Sequence, residues 1–326
     1  MITRRRLLVG SAAAGAAASL GVRTAWAQVP PLEQKDSYVF GFAQTESNNP
    51  WRIAQTASMQ AEAEARGIQL VYTDAAGSAA KQVADVNSMI AQGVDLIFLA
   101  PREEIPLVPA IMAAKDAGIP VILLDRNVAE DLAQAGDDFV TFIGSDFIEE
   151  GRRIAEWLVA NANGKTQILE LEGTVGSSPA NDRKTGFDTY IADHPEFTIL
   201  ASQSGDFSRD KGRQVAETLI QAHPEANVIY AHNDEMAIGA ISALEAAGKV
   251  PGTDVLILSI DGGREIVQLI IDGKVNAVCE CNPRFGPKAF EVALAYAAGE
   301  EIPPKIINPD NFYTIENAAA ELPNAY

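Results

Sequence analysis

From Tyr38 onward, short apolar runs rich in β-branched residues alternate with longer stretches whose apolar positions recur every three or four residues. Short continuous runs bounded by turn residues read as buried strands, and the longer periodic stretches read as amphipathic helices. The runs are Tyr38–Ala43, Ile68–Thr73, Asp95–Ala100, Pro120–Leu124, Phe139–Ile143, Thr166–Leu171, Thr198–Ser202, Asn227–Tyr230, Val255–Ile260 and Val275–Cys281. Strands alternating with helices in this rhythm predict an α/β fold of parallel strands flanked by helices. Ten strands are many for one sheet, so two Rossmann-like lobes are expected.

Helix boundaries are legible between the runs. Asn49 before Pro50 reads as an N-cap followed by proline at the first helical position, and Asp146 with Glu149 as a variant of the capping box. Gly118 ahead of Ile119 and Pro120 ends one helix, and Gly248 ahead of Val250 and Pro251 ends another. The matching phrases suggest two lobes of one architecture, divided near Gly144, Ser145 and Asp146. The expected boundaries are 38–143 with 280–306 for the N-terminal lobe and 144–279 with 307–326 for the C-terminal lobe. Several crossings between lobes make a hinge, placed near Ile143 and Val278.

Ligands of open α/β sheets sit beyond the carboxyl ends of the strands, where loops converge and helix N-termini offer free N–H groups. The residues there are informative. Asn48, Asn49, Pro50, Trp51 and Arg52 follow the first run, Asp125 and Arg126 the fourth, Asn233 the eighth and Asp261 the ninth. Planar polar side chains that bond hydroxyls in pairs, with an aromatic face for the C–H side of a ring, suit sugar recognition. Asp234 reads better as the N-cap of the helix beginning at Glu235, and Trp157 as a packing residue.

Charge and composition narrow the function. The chain of 326 residues opens with Arg4, Arg5 and Arg6, a short apolar stretch to about Leu20, and Ala25-Trp26-Ala27. This is the pattern of a removable export signal of twin-arginine type spanning residues 1–27, cleaved after Ala27, and it predicts a periplasmic protein. The stretch is shorter than the roughly 20 residues a membrane span needs. With 25 Lys+Arg against 44 Asp+Glu, the acidic surface opposes nucleic-acid binding, which needs clustered cations. Cys279 and Cys281 are expected as buried free thiols.

Enzyme signatures fail one by one. Gly164-Lys165-Thr166 has Val159 where a phosphate loop requires glycine, and it precedes a strand instead of following one. His194, His223 and His232 lack metal-ligand spacing, and no Gly-x-Ser-x-Gly elbow occurs. Asp125 and Asp261 form a carboxylate pair, but neighbouring arginines would lower their pKa values and remove the acid that glycoside hydrolysis needs. No catalytic residue, metal or cofactor is expected.

Seven phrases carry a family resemblance: Pro50-Trp51-Arg52, Ile119 to Arg126, Leu171 to Ser177, Asn181 to Phe187, Ser202 to Ser208, Tyr230 to Met236 and Ser259 to Gly262. Over nearly its whole mature length the chain resembles the periplasmic sugar-binding proteins of ABC importers, the type I or ribose-binding-like group, and within it the galactofuranose-binding proteins. The resemblance implies that Asp125 and Arg126 grip ring hydroxyls from the first lobe and Arg183, Asn233 and Asp261 from the second. It places Trp51 where ribose binders carry phenylalanines. Cys281 stands where that group has glutamine, whereas Glu280 matches the galactofuranose type. It also implies a monomer that closes on a monosaccharide and docks on an inner-membrane ABC permease.

Arg52, Arg126 and Arg183 would balance Asp125, Asp261 and Glu280, which favours a neutral sugar over a sugar acid or phosphate. The rival readings are the ligand-binding half of a repressor, a secreted carbohydrate-active enzyme, and a sensor that presents its sugar to a chemoreceptor or histidine kinase. The first lacks DNA-binding helices and the second lacks a raised-pKa acid or cofactor motif.

Overall fold

A computed structural model describes residues 29–162 and 164–326, so the export signal expected at 1–27 lies outside the described residues. The strands are β1 Val39–Gln44, β2 Gln69–Asp74, β3 Leu96–Leu99, β4 Val121–Leu124, β5 Thr141–Gly144, β6 Thr166–Glu172, β7 Phe197–Ser204, β8 Val228–Ala231, β9 Leu256–Asp261, β10 Ala277–Glu280, β11 Lys305–Ile307 and β12 Phe312–Thr314. The helices are α1 Pro50–Arg66, α2 Ala79–Gln92, α3 Val108–Asp116, α4 Phe147–Asn161, α5 Ser178–Ala192, α6 Arg209–Ala222, α7 Asp234–Ala246, α8 Arg264–Ile271, α9 Gly286–Ala297 and α10 Ala318–Glu321.

All ten expected strands form, with ends displaced by at most two residues. They divide into two six-stranded sheets, ordered β11-β5-β4-β3-β1-β2 and β12-β10-β9-β8-β6-β7, with helices on both sides. Every pairing is parallel except β10 with β12. The unforeseen strands, β11 and β12, are three residues each and sit at sheet edges, where one pairing partner is enough and no long apolar run is required. They belong to different sheets, so the chain passes between sheets after β5, after β10 and after β11.

Sequence pattern explains the burial. Strands β3 and β4 are buried at every position, as central parallel strands covered on both faces must be, and they read as unbroken apolar tetrapeptides. The edge strand β2 is only partly buried and carries Gln69, Thr73 and Asp74. Phe40, Phe98 and Phe290 meet at ring-centroid distances of 5.2 to 5.8 Å, joining α9 to the first sheet. Each such ring contributes on the order of 2–3 kcal/mol by leaving water.

The expected caps form. Asn49 Oδ1 accepts from Arg52 N at 2.9 Å and Asp146 Oδ1 from Glu149 N at 3.0 Å. The Glu149 side chain pairs with Arg152 instead of reaching back to Asp146, so that box is half made. The cap of α7 is Asn233, which accepts from Met236 N at 3.0 Å. Asp234 is the first helical residue, and its carboxylate accepts from Ser259 Oγ and Gly263 N, each at 2.8 Å. Trp157 packs partly buried against the core, and both cysteines are buried and free.

Candidate functional site

The strands of both sheets point their carboxyl ends at one narrow cleft. Its walls are Asn49, Trp51, Arg52, Asp125, Arg126, Pro179, Arg183, Phe207, Asn233, Asp261 and Cys281.

The first wall is built by the start of α1 and the end of β4. The cap at Asn49 places Trp51 and Arg52 in the first helical turn. The Trp51 indole N–H donates to the Cys281 carbonyl at 2.7 Å, and the Arg52 guanidinium lies 4.6 Å from the indole centroid. Arg52 Nη1 donates to Gln55 Oε1 at 2.9 Å, and Nη2 lies 2.7 Å from Asp125 Oδ2. Asp125 turns out of β4 at φ 65°, a left-handed conformation that an aspartate adopts at some cost. Arg126 is buried, donates Nη1 to the Arg102 carbonyl at 2.8 Å and leaves Nε without a partner. Burial and Arg52 push its guanidinium pKa down, and Asp125 opposes them.

The second wall rests on Arg183 of α5. Its Nε donates to Glu150 Oε2 at 2.8 Å, its Nη1 to the His232 carbonyl at 2.6 Å, and its Nη2 lies 3.6 Å from Asp261 Oδ1. Burial presses the Arg183 pKa down, but Glu150, Cys281 and Asp261 together raise it well above the ordinary value. Asp261 ends β9 at φ 125°, and burial raises its pKa against the pull of Arg183, the reverse of the lowering expected from its arginine neighbours. Phe207, at φ 54°, lies 5.5 Å from the Arg126 guanidinium and 5.9 Å from that of Arg183, so one ring faces a cation from each wall. Among the described residues, four of the five non-glycine positions with positive φ are Asp125, Asp206, Phe207 and Asp261, all at this cleft or its mouth.

The walls also touch directly at the mouth. Glu104 N donates to the Gly176 carbonyl at 2.9 Å, Asn127 N to Ser178 Oγ at 2.8 Å and Asn181 Nδ2 to Glu104 Oε2 at 2.7 Å. Arg102, held 3.0 Å from Glu46 of its own wall, reaches Asp206 across the cleft at 3.2 Å. These bonds join elements of the two sheets, so the cleft is closed.

Eight of the ten residues expected at the site line the cleft: Asn49, Trp51, Arg52, Asp125, Arg126, Arg183, Asn233 and Asp261. Asn233 is the most committed, since its Oδ1 caps α7 and its Nδ2 donates to the Phe207 carbonyl at 3.2 Å. Asn48 and Glu280 are not among the lining residues. Asn48 is exposed and bonded to Glu46 and Asn49. Glu280 Oε2 accepts from Asn311 N at 3.0 Å and from Asn311 Nδ2 at 2.7 Å. Adjacent side chains of an extended segment face opposite ways, so turning Glu280 toward Asn311 leaves Cys281 to line the cleft. Pro179, Phe207 and Cys281 complete the wall, and Glu150 supports it from behind. Phe207 lies inside one of the seven family phrases, whereas nothing in its local sequence marks Glu150.

Comparison with known proteins follows the same geometry. Residues 40–301 match the periplasmic binding protein domain family. The chain is 40% identical over 324 residues to the galactofuranose-binding protein YtfQ of Escherichia coli (strain K12), covering 98% of this chain and 97% of that protein. A solved structure from Mycobacterium smegmatis in complex with β-D-fucofuranose aligns with a TM-score of 0.84 at 44% identity, covering 88% of this chain and 95% of that one. The periplasmic component of the arabinose ABC transporter of Shewanella sp. ANA-3, bound to α- and β-L-arabinofuranose, aligns with a TM-score of 0.83 at 40% identity over 88% and 95% of the two chains. Two sheets of parallel strands, a cleft at their carboxyl ends and this match over most of the length give one conclusion: the chain belongs to the periplasmic binding protein family.

Proposed function

We propose that the protein captures one neutral monosaccharide, in a furanose ring of the galactofuranose or arabinofuranose kind, and delivers it unaltered to an ABC importer. The observation that carries this reading is the cleft itself: guanidinium and carboxylate groups from both sheets face one space. Arg126 Nε lies buried there without a hydrogen-bond partner, 3.9 Å from Asp125 Oδ2. Such atoms are costly when unpaired, and hydroxyl groups satisfy donors and acceptors together. The furanose ligands of the Mycobacterium and Shewanella relatives support the ring form.

The sugar binds both walls only when they meet, so its differential affinity for the closed form drives closure. Micromolar affinity corresponds to about −8 kcal/mol, within reach of several charge-assisted bonds once ordering costs are subtracted. In this reading residues 38–143 with 280–306 move against 144–279 with 307–326, a division supported by the partition of strands between sheets. Export with cleavage after Ala27, a monomeric state and docking of the closed form on an inner-membrane permease complete the proposal.

Mass spectrometry of sugar co-purified with the protein, followed by calorimetry with L-arabinose and D-galactose, tests it. Saturable binding and recovery of the sugar unchanged are expected. Binding of no monosaccharide, or its conversion to product, overturns the reading.

A further inference from the structure

The charge balance of the cleft has a different origin from the one the sequence suggests. The lining residues carry three guanidinium groups, Arg52, Arg126 and Arg183, against two carboxylates, Asp125 and Asp261. Glu280, the expected third carboxylate, is bonded to Asn311. Taken alone, the wall has one cation in excess and would favour an anionic ligand. Behind it stands Glu150 of α4, buried at 2% exposure, with Oε2 2.8 Å from Arg183 Nε and Oε1 without any hydrogen-bond partner.

We infer that Glu150 is a pH-dependent specificity-determining residue: when ionised, it cancels the charge of Arg183 from behind the wall and disfavours sugar acids. The inference rests on the sugar-binding reading and adds to it a residue that touches no sugar. The guanidinium is divided in space to suit this role. Its Nε edge is committed to Glu150 and its Nη1 to the His232 carbonyl, so only Nη2 faces Asp261 and the cleft. A charge placed out of the ligand's reach acts on a ligand carboxylate through the field and leaves hydroxyl contacts untouched.

The groups facing Glu150 are Arg183 on α5, Asp261 on β9, and Asp310 ahead of β12, with Cys279 and Cys281 at β10 and Tyr230 on β8 also feeling its charge. Burial raises the Glu150 carboxyl to about 8 while Arg183 opposes the rise. Raising the pH through 8 therefore adds negative charge behind the wall. Ionisation of the buried Asp261 and loss of the Arg126 proton, whose pKa is lowered to about 9, act in the same direction, so the share due to Glu150 is the difference between wild type and a variant that cannot ionise there.

The test uses D-galactose and D-galacturonate, which differ by CH2OH against carboxylate at one carbon, with L-arabinose as a second neutral sugar. Calorimetry at pH 8.5, where Glu150 is mostly ionised, on the full mature chain and on Glu150→Gln measures the ratio of acid to neutral-sugar affinity. Wild type is expected to prefer the neutral sugar, and Glu150→Gln to shift the ratio toward galacturonate by on the order of tenfold. A purely structural role would weaken both ligands together and leave the ratio alone. The wild-type ratio, measured from pH 7 to 9, needs no variant and is expected to turn further against the acid. Tighter wild-type binding of galacturonate, an unchanged ratio in a folded Glu150→Gln, or, should that variant not fold, a flat wild-type ratio overturns the inference while sugar binding stands. Failure of the wild type to bind either neutral sugar removes the sugar reading and this inference with it.

Discussion

The two walls of the cleft carry similar residues and hold them differently. In the first wall, Arg52 and Asp125 answer one another at 2.7 Å, and Arg126 keeps an unpartnered Nε. Its polar atoms are left for a ligand to satisfy. In the second wall, Arg183 is bound by Glu150 and the His232 carbonyl, and the His232 ring lies 3.0 Å from a second buried carboxylate, Glu170. Glu170 is further paired with Lys184 and Ser202. The first wall therefore supplies hydrogen-bonding capacity, whereas the second supplies a fixed guanidinium whose cost has been met inside the lobe. Mutations should fall on affinity in the first wall and on stability as well as affinity in the second.

Arg183→Ala probes the difference most severely. It leaves Glu150 buried beside no cation, a loss of about 3–5 kcal/mol in folding stability, and it removes a donor from the cleft. Denaturant unfolding and calorimetry should show both losses. Arg52→Ala is the comparison: its partner Asp125 keeps the cleft as an outlet, so less stability should be lost. Equal destabilisation by the two substitutions would erase the distinction between the walls.

Acid titration tests the second lobe without mutation. Burial alone would raise the Glu170 carboxyl, but His232, Lys184 and Ser202 hold it down to about 2. A depressed carboxylate pKa stabilises the fold above the unfolded value near 4.5, and that contribution is lost as pH falls toward 2. The shift corresponds to about 3 kcal/mol. Urea unfolding between pH 5 and pH 2 should show the loss, and Glu170→Gln should flatten it. The half-buried Asp310, raised to about 6, acts in the opposite sense, since protonation of a raised carboxyl favours the folded form. Subtracting the Glu170→Gln curve isolates the Glu170 contribution from it.

Asp125→Ala is the matching test in the first wall. It deprives buried Arg52 of its counter-ion and the ligand of an acceptor, so sugar affinity should fall by about 2–3 kcal/mol. The effect on stability should be smaller than that of Arg183→Ala. Unchanged affinity would take Asp125 out of the site.

The asymmetry between the walls marks how far a sequence can be read. Strand positions were legible because buried parallel strands are unbroken apolar runs, and most cleft residues because they follow those runs, whereas Arg183, inside α5, came only from the family resemblance. Strands β11 and β12 escaped because a three-residue edge strand needs only backbone pairing, which no side-chain pattern records. Glu150 escaped for a related reason. It lies in the first turn of α4, where an acid is commonplace as a partner of the helix dipole, and only the folding of α5 against α4 brings Arg183 to it. Asp234 was misread as a cap because Asn233 and Asp234 are both good caps, and only the bond to Met236 N separates them. Most of the cleft-lining residues follow strand ends, whereas Arg183 on α5 and Glu150 behind it come from helices.

Glu280 supplies the mildest and most selective prediction. It is as buried as the cleft acids and sits one residue from the lining Cys281, yet its Oε2 takes both the backbone and side-chain N–H groups of Asn311. Those bonds tie the end of β10 to the segment leading into β12, a structural duty at the crossing between sheets. Glutamine keeps an acceptor oxygen of the same reach. Glu280→Gln should therefore leave the acid-to-neutral affinity ratio within about twofold of wild type and cost about 1 kcal/mol or less in stability. A shift in that ratio as large as that expected for Glu150→Gln would return Glu280 to the site and restore the balance of three cleft arginines by three cleft carboxylates.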